Sequence, residues 1–382
     1  ETYISLRRLE NRIVSQLYGG QAMMGAFVNP IKVGIHQFYG IEINDFAVTV
    51  ATTALWIAEA QMMAETERIV QMDLDFLPLK SYTNIAEGNA LRIDWETVVP
   101  KEKLNYIMGN PPFVGYSLQS KEQKEDILSI YRDEKGKPYK TAGKIDYVAG
   151  WYWKAASMMQ GTNIRTALVS TNSICQGEQV ASIWEPLYKR FGIHIDFAHR
   201  TFQWDSEASI KAHVHCVIVG FSVSENQNKR IIFEGERVIY ADNINPYLID
   251  ASNIFIYSFS KPICDVPQML NGGKPTEGGF LILTEEEKDS LLQKNPIASK
   301  FIRPYMMGKD FILRKTRYCL WMVHANPADI RQAPLIVERI NQVRQYRLAS
   351  PKAATQKKAD TPMLFDEVRE CMSDYIAIPK VS

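Results

Sequence analysis

Five cysteines in 382 residues, odd in number and never in a C-x-x-C pair, exclude a disulfide framework and a zinc knuckle. Cys175, Cys216, Cys264, Cys319 and Cys371 are scattered along the chain, which fits a reducing cytoplasm. Long apolar runs are missing too. None approaches the roughly 18 residues that span a bilayer, and the N-terminus has no basic-then-apolar signal pattern. The expectation is a cytoplasmic chain with no membrane partner. There is no internal repeat, and almost no net charge: 44 basic residues against 43 acidic give +1.

That near-neutrality hides an asymmetry. Residues 300 to 358 carry thirteen Lys/Arg against only Asp310, Asp329 and Glu338, so this segment is +10 and the remainder −9. A surface of this kind suits a polyanion, because each neutralised phosphate releases a counterion. A merely solvated basic face would show the same count. Composition is otherwise that of a soluble globular protein, 46% hydrophobic and 23% charged, and the length suggests two domains.

Periodicity organises the first part. "ETYISLRRLENRIVSQL" spaces Ile4, Leu6, Leu9, Ile13, Val14 and Leu17 as a helix does. "QFYGIEI" reads as a strand, after which Asn44 caps a long apolar helix. "NIAEGNALRIDW" supplies a short strand and turn, and "LNYIMG" another strand. "YVAGWYWKAASMM" and "WEPLYKRF" read as helices, while "RTALVST", "HIDFAHR" and "HVHCVIVGFS" read as strands. Strands alternating with helices indicate an α/β sheet with crossover connections.

Past residue 224 the rhythm changes to strand-like runs ("RIIFEG", "NIFIYSF"), a Gly/Pro-rich turn ("NGGKPTEGG") and a basic helix near 328–348. The domain boundary is expected at "SVSENQNKR", giving domains 1–224 and 225–382. "ASPKAATQKKADTP" reads as a mobile loop with nothing to bury.

One tetrapeptide carries chemistry. Asn110-Pro111-Pro112-Phe113 follows a strand directly. An exocyclic amine on an aromatic ring is a poor nucleophile, because its lone pair is delocalised into the ring. An amide oxygen and a backbone carbonyl held at a fixed angle can accept both amine hydrogens and free that pair. Proline, its φ locked near −65°, is suited to hold the carbonyl, and an adjacent aromatic ring can stack on a base taken out of its helix.

The tetrapeptide resembles the (Asp/Asn/Ser)-Pro-Pro-(Tyr/Phe) signature of S-adenosylmethionine-dependent amino-methyltransferases, chiefly those acting on adenine in DNA. The surrounding order agrees: "FYGIEIND", "GNALRIDW", "GKIDYVAGWYW", "IRTALVSTNSI" and "AHRTFQWDSEASIKAHVHCVIVGFS" look like that family's successive motifs, including a last antiparallel strand. With "FIRPYMMGKDFI" and "RYCLWMVHANPADI", nearly the whole chain resembles the methyltransferase and target-recognition parts of single-chain restriction-modification enzymes of the MmeI type.

The resemblance implies an α/β, Rossmann-like class I methyltransferase sheet plus a mixed α+β target-recognition domain. It also implies S-adenosyl-L-methionine as cofactor, duplex DNA as partner, a flipped adenine as substrate, and a bacterial, cytoplasmic setting. Asn110 and Pro111 would accept from the target amine, with Pro112 rigid beside them and Phe113 stacking on the base. Glu42, with Ile43 beside it, would take the ribose hydroxyls of the cofactor. Asn89, Ala90 and Leu91 would contact its adenine, although the family often has an acid where Asn89 stands. Asn110 would border the cofactor as well.

Lys144, Asp146 and Tyr147 match a motif lining the base pocket; an ordinary helix start, with Asp146 as a favourable N-terminal charge, is the competing reading. Phe202 or Trp204, in the loop before the last strand, would close the far face of the base, unless it packs the core. Arg303, Lys309, Arg314, Lys315, Arg317, Arg331, Arg344 and Arg347 are the candidates for DNA contact. His213, His215 and Cys216 could suggest a metal, but a strand with polar side chains on one face accounts for them, so none is expected. "SKEQKEDILSIYRDEKGKPYK" could close over DNA, but most such charged runs are solvated loops.

The family's upstream glycine-rich strand-loop, in the style Asp-Pro-Ala-Cys-Gly-Ser-Gly, is absent from these residues. The expectation is a chain cut inside the methyltransferase domain and again at its end, with the glycine loop and a nuclease upstream in the parent polypeptide, and an incomplete cofactor site. The alternatives are a DNA-recognition module that binds no cofactor, or a parent that methylates another amino group, of cytosine, RNA or glutamine.

Overall fold

The computed structural model describes residues 1–18, 31–71, 84–204, 214–224, 229–259, 261–266, 269–370 and 374–379, in two compact units, 1–260 and 261–382. In the first unit, helix α1 (Thr2–Tyr18) buries Tyr3, Arg7, Asn11 and Val14, a stripe at helical spacing. Arg7 pairs with Glu10 and donates to Thr66 Oγ1 at 2.7 Å, which fastens α1 to α2 (Asp45–Val70). Asn44 caps α2, its side chain accepting from the Ala47 amide at 2.9 Å. By length and composition α2 could cross a bilayer, which corrects the expectation drawn from unbroken apolar runs. Here its C-terminal half buries Met62, Thr66 and Val70, while Phe46, Val50 and Ile57 are exposed.

Strands β1 (Tyr39–Glu42) and β2 (Asn84–Glu87) form a parallel pair. A six-stranded sheet contains β3 (Tyr106–Gly109), β4 (Arg165–Thr171), β5 (His194–Trp204), β6 (Val214–Ser222), β7 (Arg230–Glu234) and β8 (Arg237–Ala241), in the order β3-β4-β6-β5-β7-β8. β3 runs parallel to β4 and β5 to β7, whereas β6 is antiparallel to both of its neighbours, as expected, although β7 and β8 follow it in the same sheet. β3 lies at the sheet's end, with Tyr106 and Met108 exposed.

Helices α3 (Lys121–Ile130), α4 (Ala149–Met158) and α5 (Gly177–Phe191) complete the unit. α4 is apolar on most sides and correspondingly buried. Its Tyr152 stacks on Phe221 at 5.3 Å and meets Trp184 edge-on, and its hydroxyl shares a 2.8 Å hydrogen bond with Ser170, so the polar tip is satisfied inside the core. α5 ends at Gly192, whose φ of 64° lets its amide return to the Tyr188 carbonyl.

The first unit extends past the boundary drawn at 224. Ile231, Ile232 and Phe233 of "RIIFE" pair with β5, and β7 with β8 continues the same sheet, so the chain divides near 260. "NIFIYSF" forms no strand: 252–259 has no regular element. The charged stretch after residue 119 is not a solvated loop either, because α3 carries Asp126 and Ile127 into the interior with Tyr131 behind them.

In the second unit β9 (Ile282–Leu283), β10 (Ile302–Tyr305) and β11 (Arg317–Leu320) form an antiparallel sheet in the order β10-β11-β9. With it are α6 (Glu285–Lys294), α7 (Gly308–Ile312), α8 (Pro327–Arg331), α9 (Pro334–Leu348) and α10 (Ala353–Lys357). α9 buries Ile336, Ile340, Val343 and Arg347 along one stripe. The segment expected to be a mobile loop contains α10 and a 3-10 turn at Lys358–Asp360, with Ala359 buried.

Candidate active site

The tetrapeptide lies where β3 ends. Pro111 is buried, Phe113 half-buried, and Asn110 and Pro112 exposed. Among the described residues neither the Asn110 amide nor the Pro111 carbonyl has a hydrogen-bond partner, while the next carbonyl, of Pro112, accepts from the Val114 amide at 3.1 Å. Two acceptors adjacent in the chain are thus left open on a backbone stiffened by two proline rings.

The loop is braced from behind by Asp146, which is buried. Its Oδ1 accepts from the Tyr116 amide at 2.9 Å and its Oδ2 from Ser173 Oγ at 2.5 Å. The Asp146 amide donates to Gln179 Oε1 and the Tyr147 amide to the Val114 carbonyl, both at 2.9 Å; Gln119 closes the set on the Ile145 carbonyl. One carboxylate therefore joins the loop after β3, the segment before α4 and the loop after β4. Each Asp146 oxygen accepts one hydrogen bond in that brace, which gives the residue a loop-holding contact in addition to the pocket-lining place expected of it. Lys144 is exposed.

A second cluster forms at the ends of β1 and β2. The Gly88 amide donates to the Glu42 carbonyl at 2.7 Å, with a φ of 144° that suits glycine, and this brings Asn89 beside Glu42. Glu42 is half-buried with no side-chain partner among the described residues, and Ile43 is exposed. Asn89 Oδ1 accepts from the Leu91 amide at 2.9 Å, and its Nδ2 donates to Asp126 Oδ2 at 2.9 Å. Asp126 also accepts from the Tyr147 hydroxyl at 2.8 Å and from Arg92 Nε at 2.7 Å. Burial pushes the Tyr147 phenol up to about 12, so it remains a donor near neutral pH. Tyr147 thus faces the Asn89 turn with its hydroxyl and the tetrapeptide loop only with its backbone.

The Asn89 turn rests on α4. The Ala90 carbonyl accepts from Trp95 Nε1 at 2.8 Å, and Leu91 is buried against Gly150, where any Cβ would come within 2.8 Å of a Leu91 methyl. An acceptor carboxylate and an amide at the ends of parallel strands suit the hydroxyls and amine of a nucleoside.

Phe202 lies within β5, opposite Cys216, rather than in a loop; two register shifts interrupt β5 before it. Trp204 ends β5, and its side chain lies outside the described residues, as does His213. His215 is exposed and Cys216 buried, on opposite faces of β6, and among the described residues no three His, Cys, Asp or Glu side chains gather as metal ligands would. A cavity of about 300 Å³ went unanticipated. Asn172, Gln176, Arg200, Thr201, Tyr247 and Leu248 are among its lining residues, and Ser173 beside Asn172 is the residue that bonds Asp146. Tyr247 and Leu248 come from beyond the expected domain boundary, so no local motif could have linked them to it.

In the second unit the basic segment divides. Arg303, Lys309, Arg314, Lys315, Arg331 and Arg344 are exposed. Arg317 pairs with Asp310 at 2.5 Å and lies over the Tyr305 ring. Burial opposes ionisation of Asp310, but the Arg317 guanidinium and the Met307 amide hold its carboxyl below the usual range. Arg347 is wholly buried and corrects the expectation of DNA contact: Nε donates to Thr276, one terminal nitrogen to Lys358 and Thr361, the other to Pro275 and Leu364, all backbone carbonyls at 2.7–3.1 Å.

The family model described as MmeI, DNA-methyltransferase domain, matches residues 1–234, and that described as MmeI, target recognition domain, matches residues 250–382. The chain is 38% identical to DNA methyltransferase A of Bacillus subtilis (strain 168) over 384 residues, which is 100% of this chain and 43% of that protein. Among solved structures it is similar to the type IIL restriction-modification enzyme MmeI in complex with DNA, at 40% identity and a TM-score of 0.80 over 97% of this chain and 50% of that one. The chain therefore spans about half the length of the relatives it matches.

Proposed function

This chain belongs to the MmeI family of DNA methyltransferases with a target recognition domain, and on that premise we propose that it methylates the exocyclic amine of a flipped adenine in duplex DNA. The carrying observation is the pair of open acceptors, Asn110 and Pro111, on a loop braced by Asp146. The amine donates one hydrogen to Asn110 Oδ1 and the other to the Pro111 carbonyl. Both hydrogens are then directed toward the protein, and the nitrogen lone pair is withdrawn from the ring and points away from it. Phe113 stacks on the base, which repays part of the cost of unstacking. Phe202 or Trp204 covers the other face. The surplus proton on the methylated nitrogen is held at Asn110 Oδ1 before release to water.

S-adenosylmethionine, when bound, supplies the methyl group on a sulfonium. Glu42 holds its ribose and Asn89 to Leu91 its adenine, and the acceptor chemistry of these residues fits that nucleoside. In the second unit the exposed Arg303, Lys309, Arg314, Lys315, Arg331 and Arg344 contact DNA, the phosphate contacts setting position and any base contacts setting sequence. The parent polypeptide would serve a restriction-modification system, in keeping with the family matched.

The test is Asn110→Ala in the complete polypeptide. Methylation should fall by about a thousandfold or more, since aligned acceptors act mainly in the transition state, while duplex binding persists. Substantial residual turnover would refute the assignment, and nucleoside digestion showing methylcytosine in place of N6-methyladenine would refute the choice of base.

A further inference from the structure

Asn89 is an amide where an acid would do the same task without ambiguity. A carboxylate presents an acceptor whichever way it is turned. An amide turned by 180° presents NH₂ instead, and an exocyclic amine, which donates, would then meet a donor.

We propose that Asp126 fixes the Asn89 amide with Oδ1 as its outward acceptor, so that a positioning carboxylate on α3 makes the amide serve the 6-amino group of the cofactor's adenine. This rests on the reading that residues 89 to 91 hold that adenine. Asn89 Nδ2 donates to Asp126 Oδ2 at 2.9 Å, and Asn89 Oδ1 accepts from the Leu91 amide at 2.9 Å. The reversed amide would set its oxygen against a carboxylate and its NH₂ against the Leu91 N–H, losing both hydrogen bonds at once. In the observed orientation Oδ1 keeps a second lone pair, with no other partner among the described residues.

Asp126 is itself held in place. Its side chain is 6% exposed, Arg92 Nε donates to its Oδ1 at 2.7 Å, and the Tyr147 hydroxyl donates to its Oδ2 at 2.8 Å. The phenol is a donor at neutral pH in any case, and burial raises its pKa further. Its neighbour Ile127 packs beside Gly150 and Leu91, so α3 and the Asn89 turn share one support. Asp126 accordingly acts through Asn89.

The experiment is calorimetric binding of S-adenosylhomocysteine and its 6-oxo counterpart, S-inosylhomocysteine, to the complete polypeptide. The wild type should prefer the adenosyl compound by about tenfold or more, the scale of one hydrogen bond gained against one acceptor facing another. Asp126→Asn should reduce the preference to about threefold or less, because an amide at 126 can turn either its oxygen or its NH₂ to Asn89 and only the Leu91 amide then opposes the reversed orientation. Asn89→Asp alone should weaken both ligands by setting two carboxylates together. The double variant Asn89→Asp/Asp126→Asn exchanges the two groups without changing volume, and it should restore the preference even if Asp126→Asn folds poorly. Full preference in a folded Asp126→Asn protein, or a double variant no better than the singles, would overturn the inference. A wild type that binds neither compound, or both equally, would instead overturn the adenine contact itself, and with it the inference.

Discussion

Two buried charges, Asp126 in the first unit and Arg347 in the second, are satisfied in opposite ways. Asp126 receives its hydrogen bonds from the side chains of Asn89, Arg92 and Tyr147, which come from two other segments of the unit. All five N–H groups of Arg347 go to backbone carbonyls of segments 275–276 and 358–364. The first arrangement fixes the orientation of three side chains. The second cross-links chain segments and leaves nothing to offer a ligand. Asp146 stands between them, with one oxygen on a backbone amide and one on a side chain.

The comparison breaks most readily at Arg347. Arg347→Met keeps the length but removes all five hydrogen bonds and leaves the Thr276 and Leu364 carbonyls with no other partner among the described residues, and should lower the stability of the second unit by about 3–5 kcal/mol in urea unfolding, the cost of opening a buried polar network. A loss below about 1 kcal/mol would mean that the clamp is incidental. Asp146→Asn sharpens the intermediate case. Its amide can still accept from Tyr116 but presents NH₂ at the second position, so kcat should fall by about ten- to a hundredfold through loss of loop alignment, with duplex affinity unchanged. Equal losses in affinity and kcat would put Asp146 in direct contact with DNA. The exposed arginines mark the far end. Arg331→Gln and Arg344→Gln should change stability by no more than about 0.5 kcal/mol, and each should reduce the slope of log K against log salt by about one if it meets a phosphate. An unaltered slope removes that residue from the interface.

The same contrast explains what could be read from sequence. Asn110 to Phe113 could be singled out in the sequence because the proposed chemistry needs its residue types consecutive, and the strand before it was legible because "YIMG" precedes the prolines. β1, α2 and α4 followed from periodicity and from the Asn44 cap. Asp126 was hidden, because in "SKEQKEDILSIYRDEKG" a buried acid looks like its solvated neighbours and its partner Asn89 lies 37 positions away. Arg347 was hidden for a related reason. Charge counting cannot separate an arginine facing water from one on the buried stripe of α9, although its spacing from Ile336, Ile340 and Val343 held that information. "NIFIYSF" misled because alternation signals a strand only where a partner edge is available.

Gly150 carries a consequence for how the site tolerates change. Its missing side chain is the clearance that lets Leu91 and Ile127 approach α4 together, at distances of 2.8 and 3.3 Å from where a Cβ would sit. Leu91 follows Asn89 by two residues, and Ile127 follows Asp126 by one. An added methyl would therefore displace the amide and the carboxylate that orients it from a common point, so an error at one buried atom would propagate to both members of the pair. Alignment of the two groups is a single inherited tolerance, and substitutions at 150 should disturb nucleoside binding before they disturb folding.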